Sequence, residues 1–327
     1  MVRFGIIGTN WITESFIQAA SKVEDFSLTA VYSRTNEKAE EFAKKFNIEH
    51  TFTDLEEFVS SDVFDAVYLA SPNSLHAKQA ILCMNNGKHV LCEKPIASNT
   101  REVSEMMKAA NDHSVVLMEA LKTSFLPNFL AIKENLHKIG KVRRYFASYC
   151  QYSSRYDKYK EGIVLNAFKP EFSNGSLMDI GIYCVYPAVV LFGEPKQIKA
   201  SSYMLESGVD GEGSLLLTYD EMDAVIMYSK ITNSYVPSEI QGENGSIIID
   251  KIHTPENVKI HYKDGRIEDL TQPQDSASMY YETKEFIELV KNKNYQSQLN
   301  SHSNSLTTAK ILEDARKQIG LIYPADK

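Results

Sequence analysis

Positive charge is in short supply along this chain, where 35 Lys and Arg face 43 Asp and Glu for a net charge of −8. Nucleic acids and anionic membrane surfaces are bound through clustered cations, so neither is an expected partner. Cysteine is sparse too. Cys83, Cys92, Cys150 and Cys184 stand apart with no paired spacing. That argues against a zinc site or a disulfide framework and for buried free thiols, and no metal site is expected. No uninterrupted run of 18 apolar residues occurs, so no membrane-spanning helix is expected. The amino terminus enters Val2-Arg3-Phe4-Gly5-Ile6-Ile7 without the pattern of a signal peptide, and a cytoplasmic location is the expectation. Internal repeats and low-complexity segments are also missing.

What is present is the composition of an ordinary globular protein, 43% apolar and 24% charged, with 327 residues that suggest two domains. The stretch Cys92-Glu93-Lys94-Pro95 organises the first of them. It follows the apolar run His89-Val90-Leu91, a short buried strand opened by the turn Asn85-Asn86-Gly87-Lys88. Pro95 cannot donate to a sheet ladder, so the strand stops just after Lys94. In a doubly wound sheet the carboxyl ends of the strands line the ligand crevice, which turns the Lys94 ammonium toward whatever binds there. A surface Glu-Lys pair is the plainer alternative.

Val2 to Gly8 reads as a strand running into Thr9-Asn10-Trp11-Ile12-Thr13 and then a helix, the context of a dinucleotide fingerprint. Gly8 fills the first glycine place, while Asn10 and Thr13 replace the second and third. Asn10 is expected to adopt the left-handed backbone at a cost of about 1 kcal/mol, with its side chain narrowing the approach of a pyrophosphate. Helix amino-terminal amides still favour the anion. The strand over 26–32 ends in Ser33-Arg34-Thr35, where an NAD-specific site usually places an acid. A hydroxyl and a guanidinium there, with Lys38 one helical turn on, favour the 2′-phosphate of NADP over NAD. A surface Arg near a helix start is the alternative.

Two further strand-helix units follow, over 64–70 with Ser71-Pro72-Asn73 at its end and over 115–119, with helices over 76–86 and 100–111. This alternation predicts a parallel sheet of about six strands. His76 either donates to a cofactor or sits partly exposed on a first helical turn, and the second is favoured from its position alone. Beyond Glu119 the pattern changes. A helix over 128–138, ended by Gly140, precedes β-rich runs over 142–152, 197–204, 214–219, 224–230, 246–250 and 258–262. Turns such as Val209-Asp210-Gly211 and Lys263-Asp264-Gly265 join them. With few crossover helices the sheet should be largely antiparallel, and an open apolar face would offer a dimer surface. Helices over 276–291 and 303–319 close the chain. The expected division is 1–120 and 121–327, with the last helix able to pack back on the first domain.

Between these runs, Ser173-Asn174-Gly175-Ser176 leads into helical apolar spacing over 177–191. Asp179 and Tyr183, four apart, share one helix face. Read alone, they are better taken as an acid suited to the helix dipole and a core tyrosine.

Taken together these residues resemble the Gfo/Idh/MocA family, named for glucose-fructose oxidoreductase, inositol dehydrogenase and rhizopine catabolism. The resemblance runs through Gly5-Ile6-Ile7-Gly8, Ser71-Pro72-Asn73 with His76, Glu93-Lys94-Pro95, Met118-Glu119-Ala120, Asp179-Ile180-Gly181-Ile182-Tyr183 and the terminal 315–321. It implies an amino-terminal Rossmann domain, a carboxyl-terminal α/β domain with an open-faced sheet through which members associate as dimers or larger homo-oligomers, and hydride exchange between NADP or NAD and a sugar, polyol or cyclic alcohol. Tyr183, where many members carry His, resembles the branch with xylose dehydrogenase and dimeric dihydrodiol dehydrogenase. Carried over by motif, the cofactor contacts would include Gly8, Thr9, Asn10, Trp11, Ile12, Ser33, Arg34, Lys38, Ser71, Pro72, Asn73, His76, Glu93, Lys94, Glu119 and Asn166. The chain departs from the branch at Ala120-Leu121-Lys122-Thr123-Ser124-Phe125, which lacks the usual Arg and His, at Ala167, where Arg usually follows the Asn of a cofactor-contacting segment, and at Ser173 and Asn174.

The resemblance and the chemistry agree. Oxidising an alcohol requires a base for the hydroxyl proton. A phenol near pKa 10 needs help at neutral pH, and a nearby ammonium favours its ionised form. Tyr183 is therefore assigned as acid/base, Lys94 as its tuner and the holder of the reacting oxygen, and Asp179 as the group orienting substrate or Lys94. Lys94 as the proton carrier is the alternative division. A non-catalytic dinucleotide-binding regulator needs neither Lys94 nor Tyr183, and a pigment reductase would not need Asp179 with Tyr183.

Overall fold

The computed structural model describes residues 1–327, which fall into two compact units, Met1–Lys122 with Asp275–Ser305 and Thr123–Gln274 with Leu306–Lys327. The segment Asp275–Ser305 thus belongs with the first unit rather than with the residues around it in sequence.

In the first unit strands and helices alternate: β1 (Val2–Ile7), α1 (Trp11–Ala20), β2 (Phe26–Tyr32), α2 (Asn36–Phe46), β3 (His50–Phe52), α3 (Leu55–Ser60), β4 (Ala66–Leu69), α4 (Asn73–Asn85), β5 (His89–Glu93), α5 (Thr100–His113) and β6 (Leu117–Ala120). The strands form one parallel sheet in the order β3-β2-β1-β4-β5-β6. Every residue of β4 and β6, and all of β5 but His89, is buried, as a parallel sheet covered on both faces requires. This order reverses direction between β1 and β4, the switch point of a Rossmann fold, where ligands bind beyond the carboxyl ends of the strands. A helix formed by Met279–Asn292 packs against α1 and β1, with the rings of Phe4 and Phe286 5.7 Å apart.

The second unit contains α6 (Pro127–Asn135), β7 (Val142–Cys150), α7 (Tyr156–Lys160), α8 (Ile182–Phe192), β8 (Gln197–Met204), β9 (Asp210–Thr218), β10 (Asp223–Ser229), β11 (Ser238–Gly242), β12 (Gly245–Ile249), β13 (Val258–Tyr262) and β14 (Ile267–Asp269). Along the chain α9 (Met279–Asn292), which belongs to the first unit, and α10 (His302–Gln318) follow. Eight strands pair in the order β14-β13-β12-β11-β7-β10-β9-β8. All pairs are antiparallel except β7 with β10. Alternation along β9 and β10 sends Leu215, Leu217, Ala224 and Ile226 into the core, while Leu216 and Met227 face outward.

Three local expectations change. Asp210 and Gly211 begin β9 instead of forming a turn, because the Asp210 carboxylate is engaged by the amides of Ser176 and Leu177. The helix after Ser176 opens with a π-helical turn, Leu177–Gly181, before α8 begins. Strands β11 and β14 add to the six β-rich runs. The stretch Pro170–Phe192 is long and apolar enough to cross a membrane, yet 72% of its most apolar window is buried within the protein, as for a core helix. Cys83, Cys92 and Cys184 are buried thiols and Cys150 is partly buried.

Candidate active site

The turn after β1 is built around Gly8, whose φ is +105° and whose place tolerates no side chain: an added Cβ would lie 2.4 Å from the carbonyl oxygen of Ala70. Asn10 does not take the left-handed conformation expected of it. Its backbone is extended at φ −126°, and its Oδ1 caps α1 by accepting from the amides of Ile12 (3.0 Å) and Thr13 (3.4 Å). Its Nδ2 donates to the Ala70 carbonyl, and the buried Thr13 hydroxyl donates to the Gly8 carbonyl at 2.7 Å. Side-chain hydrogen bonds therefore hold the shape that glycines provide elsewhere. Thr9, Trp11 and Ile12 line the same turn, with Trp11 64% exposed. At the end of β2, Ser33 is buried while Arg34 and Lys38 are exposed. The glycine-bounded turn and these two exposed cations fit a dinucleotide carrying an extra phosphate.

Beyond β5 the residues resolve into a buried polar cluster. Glu93 is not a surface residue but is 8% exposed, and its Oε1 accepts from the Tyr68 hydroxyl at 2.5 Å while Oε2 accepts from the Lys94 amide. Burial raises the Glu93 carboxyl above its usual range, against the opposing pull of Lys94, the Tyr68 hydrogen bond and Lys122. Lys94 joins Pro95 through a cis peptide bond. His76 is fully buried, correcting its expected exposure on the helix surface. Its Nδ1 lies 3.0 Å from the Pro95 carbonyl and its Nε2 2.9 Å from the Ser71 carbonyl. It ties the loop Ser71-Pro72-Asn73 to the Lys94-Pro95 turn, and burial holds the imidazole below its ordinary pKa. Ser71 in turn donates to Gln79.

Glu119 is also buried, and its Oε1 accepts from the Ile96 amide at 2.9 Å, fixing the backbone just past Pro95. Burial pushes its carboxyl up to about 7, against the Ser305 hydroxyl and the Ile96 amide, which favour the ionised form. Lys122 and the fully buried Glu282 complete the cluster: burial lowers the first and raises the second, each opposed by the other's charge. Neither was singled out in the sequence. A shallow cavity of about 400 Å³ lined by Arg3, Asp62, Phe64, Asp65, Gly87, Lys88 and His89 lies at the starts of β1, β4 and β5. That is the opposite edge from the ligand-binding one, and its charges are already engaged, as in the pairing of Arg3 with Asp65.

In the second unit, Asp179 sits inside the π-helical turn and Tyr183 on the first turn of α8. Single π turns are frequent at functional sites. Asp179 Oδ2 accepts from Lys230 Nζ at 2.6 Å. The Tyr183 ring meets Tyr149 edge-on at 5.7 Å and His253 at 6.3 Å, and Tyr149 stacks flat on His253 at 4.1 Å. Asn166 is exposed, and its carbonyl accepts from Asn174 Nδ2. In this unit, Lys230 and His253 are the residues that sequence reading missed. Lys230 closes a β-rich run just as Lys94 does, a usable signal; His253 lies in an irregular segment with none.

Comparison with known proteins agrees with this fold. Residues 2–121 match the model of an oxidoreductase family with an NAD-binding Rossmann fold, and residues 130–248 match a GFO/IDH/MocA C-terminal domain. The chain is 62% identical over 327 residues to scyllo-inositol 2-dehydrogenase (NADP(+)) IolU of Bacillus subtilis (strain 168), covering 100% of both. It is 30% identical to trans-1,2-dihydrobenzene-1,2-diol dehydrogenase of Xenopus tropicalis, covering 98% of this chain and 99% of the other. Among solved structures, KijD10, a 3-ketoreductase from Actinomadura kijaniata in complex with NADP and TDP-benzene, shares the fold with a TM-score of 0.86 at 22% identity, over 97% of this chain and 98% of that one. The chain belongs to the Gfo/Idh/MocA family of oxidoreductases.

Proposed function

We propose that this protein is an NADP-dependent dehydrogenase of an inositol-like cyclic polyol, working in either direction between ring alcohol and ketone. The observation that carries the reading is the 62% identity, end to end, with an enzyme named for scyllo-inositol and NADP(+). The exposed Arg34 and Lys38 at the end of β2 support the same cofactor choice.

Bound NADP supplies the acceptor for the hydride that leaves the ring carbon. The first unit holds it through the Gly8 turn with Thr9, Asn10, Trp11 and Ile12, through Ser33, Arg34 and Lys38, and through the loop Ser71-Pro72-Asn73. His76, Glu93 and Glu119, all buried, serve that loop and the Lys94 turn by fixing backbone. Asn166 is a further contact from the second unit, which binds the polyol. Tyr183 exchanges the hydroxyl proton, the Lys94 ammonium stabilises the oxygen as negative charge develops on it, and Asp179 accepts a hydrogen bond from the substrate. The outward-facing Tyr203, Leu216 and Met227 make the open face of the larger sheet a fitting surface for a second copy of the chain. A cytoplasmic homodimer is the assembly we favour.

A panel of inositols, sugars and acyclic polyols, offered with NADP and with NAD and followed by absorbance of the reduced nicotinamide, tests this reading. Turnover of an inositol with NADP is expected. Silence across the panel beside tight NADP binding would contradict it.

A further inference from the structure

We infer that Lys230 is a positioning residue for the reaction, holding the Asp179 carboxylate as a fixed acceptor for a hydroxyl of an uncharged polyol beside the reacting carbon. The inference rests on the proposed function.

Lys230 follows the last residue of β10, and its backbone is gripped on both sides: its amide donates to the Gly211 carbonyl at 2.9 Å and its carbonyl accepts from the Ser153 amide at 2.8 Å. Its side chain is only 4% exposed, whereas that of Asp179 is 30% exposed. The ammonium therefore stands behind the carboxylate, which forms the more exposed end of the pair. Nζ donates to Asp179 Oδ2 at 2.6 Å, approaches the Ala167 carbonyl at 3.4 Å and lies 5.1 Å from the centre of the Phe168 ring. Burying a lysine this deeply is costly unless it is paired and hydrogen-bonded, and breaking such a pair leaves an uncompensated charge.

The Asp179 side of the pair is anchored as firmly. Asp210, at the start of β9, accepts from the amides of Ser176 (3.1 Å) and Leu177 (2.6 Å), where the π-helical turn begins. Gly175, at φ +148°, makes room for it, since an added Cβ would lie 2.1 Å from Asp210 Oδ1. The Lys230 charge also acts on the Asp210 carboxyl. One buried cation thus serves the carboxylate that seats the turn and the carboxylate that the turn carries. A carboxylate has acceptor sites for about four hydrogen bonds, and Lys230 fixes the direction of those that remain. A neutral polyol suits such a paired acceptor; an acidic sugar would bring a second carboxylate against Asp179.

Three variants test this: Lys230→Met, which removes the charge; Lys230→Gln, which keeps a donor if the first does not fold; and Lys230→Arg, which keeps both. Loss of the charge should raise the KM for the polyol about 10-fold or more, the range of a charge-assisted hydrogen bond. kcat should change by less than about 5-fold and NADP affinity by less than about 2-fold, with Lys230→Arg restoring most of the loss. The acid limb of kcat/KM should move to higher pH, because a carboxyl without its ammonium protonates more readily. Carboxyl ¹³C spectra, with Asp179 assigned by its disappearance in Asp179→Asn, should show the same upward movement without any turnover. An unchanged KM, acid limb and carboxyl titration in the folded variants would overturn the inference. Failure of the wild-type chain on every polyol would instead overturn the proposed function, while the carboxyl titration would still decide whether Lys230 governs Asp179.

Discussion

Two lysines of the candidate site stand just past strand ends, Lys94 after β5 and Lys230 after β10, and their surroundings differ in kind. Lys94 shares its field with Glu93, Glu119 and Lys122, several buried groups whose charges act on one another. Lys230 is almost wholly buried and faces acids of opposite charge, donating to the Asp179 carboxylate at 2.6 Å and acting on Asp210 through its charge. A cation among mutually opposing charges can respond as charge develops on a reacting oxygen. A cation held among acids alone mainly fixes geometry. The same residue type in the same local setting therefore serves two ends, and its partners decide which.

The comparison is broken most severely at the chemistry. Lys94→Met should lower kcat by roughly 10³-fold with NADP affinity nearly unchanged, within the range for losing a positioned acid, base or charge. Steady-state kinetics that show the Lys94 variant losing only KM would erase the distinction from Lys230. Tyr183→Phe should cost at least about 10²-fold in kcat with substrate binding kept. Turnover within a few-fold of wild type would move the proton to Lys94.

A smaller effect is expected at a third cation past a strand end. Arg34→Ala should weaken NADP binding about 10- to 100-fold, the range of one or two lost charge-assisted hydrogen bonds, with NAD binding within about 2-fold. Equal losses for both dinucleotides, measured by fluorescence titration, would remove Arg34 from phosphate recognition.

A last effect concerns stability around Lys94 and leaves the chemistry untouched. Glu119 is raised to about 7 in the folded chain from an ordinary 4.5. Its contribution is therefore fully present below about pH 4.5 and is lost as pH rises through 7, by an amount that linkage bounds at about 3 kcal/mol. Asp210, raised to about 6 from 3.8, follows the same sign at slightly lower pH. Thermal unfolding should thus show a higher Tm at pH 5.5 than at pH 8, and Glu119→Gln should flatten the part of that slope nearest pH 7. A slope unchanged by the substitution would show that Glu119 is not the group responsible.

Much of the first unit is legible in sequence because its signals are local. A strand running into Gly8, a lysine stopped by Pro95 and repeated strand-helix alternation each depend on a few adjacent residues. What was misread depends on distant partners. Asn10 abandons the left-handed backbone because its side chain finds the amides of α1 and the Ala70 carbonyl. His76 is buried because two loops close over it, and nothing in its neighbours in sequence announces that. In the second unit Asp210 reads as a turn residue until the helix start 33 residues away in sequence takes its carboxylate. Strand β11, Ser-Glu-Ile-Gln-Gly, carries a single β-branched residue and becomes a strand through pairing with β7 and β12. The motif Asp179 was visible; the lysine behind it, 51 residues on in sequence, was not.

The central claim, hydride transfer between a polyol ring carbon and NADP, is tested most directly by following the hydrogen itself. Wild-type protein should be incubated with NADP and an inositol deuterated at its ring carbons, and the reduced cofactor examined by mass spectrometry and proton NMR. The account predicts one deuterium at C4 of the nicotinamide ring, delivered to a single face. Reduced cofactor without deuterium, or no reduced cofactor with any inositol, would contradict it.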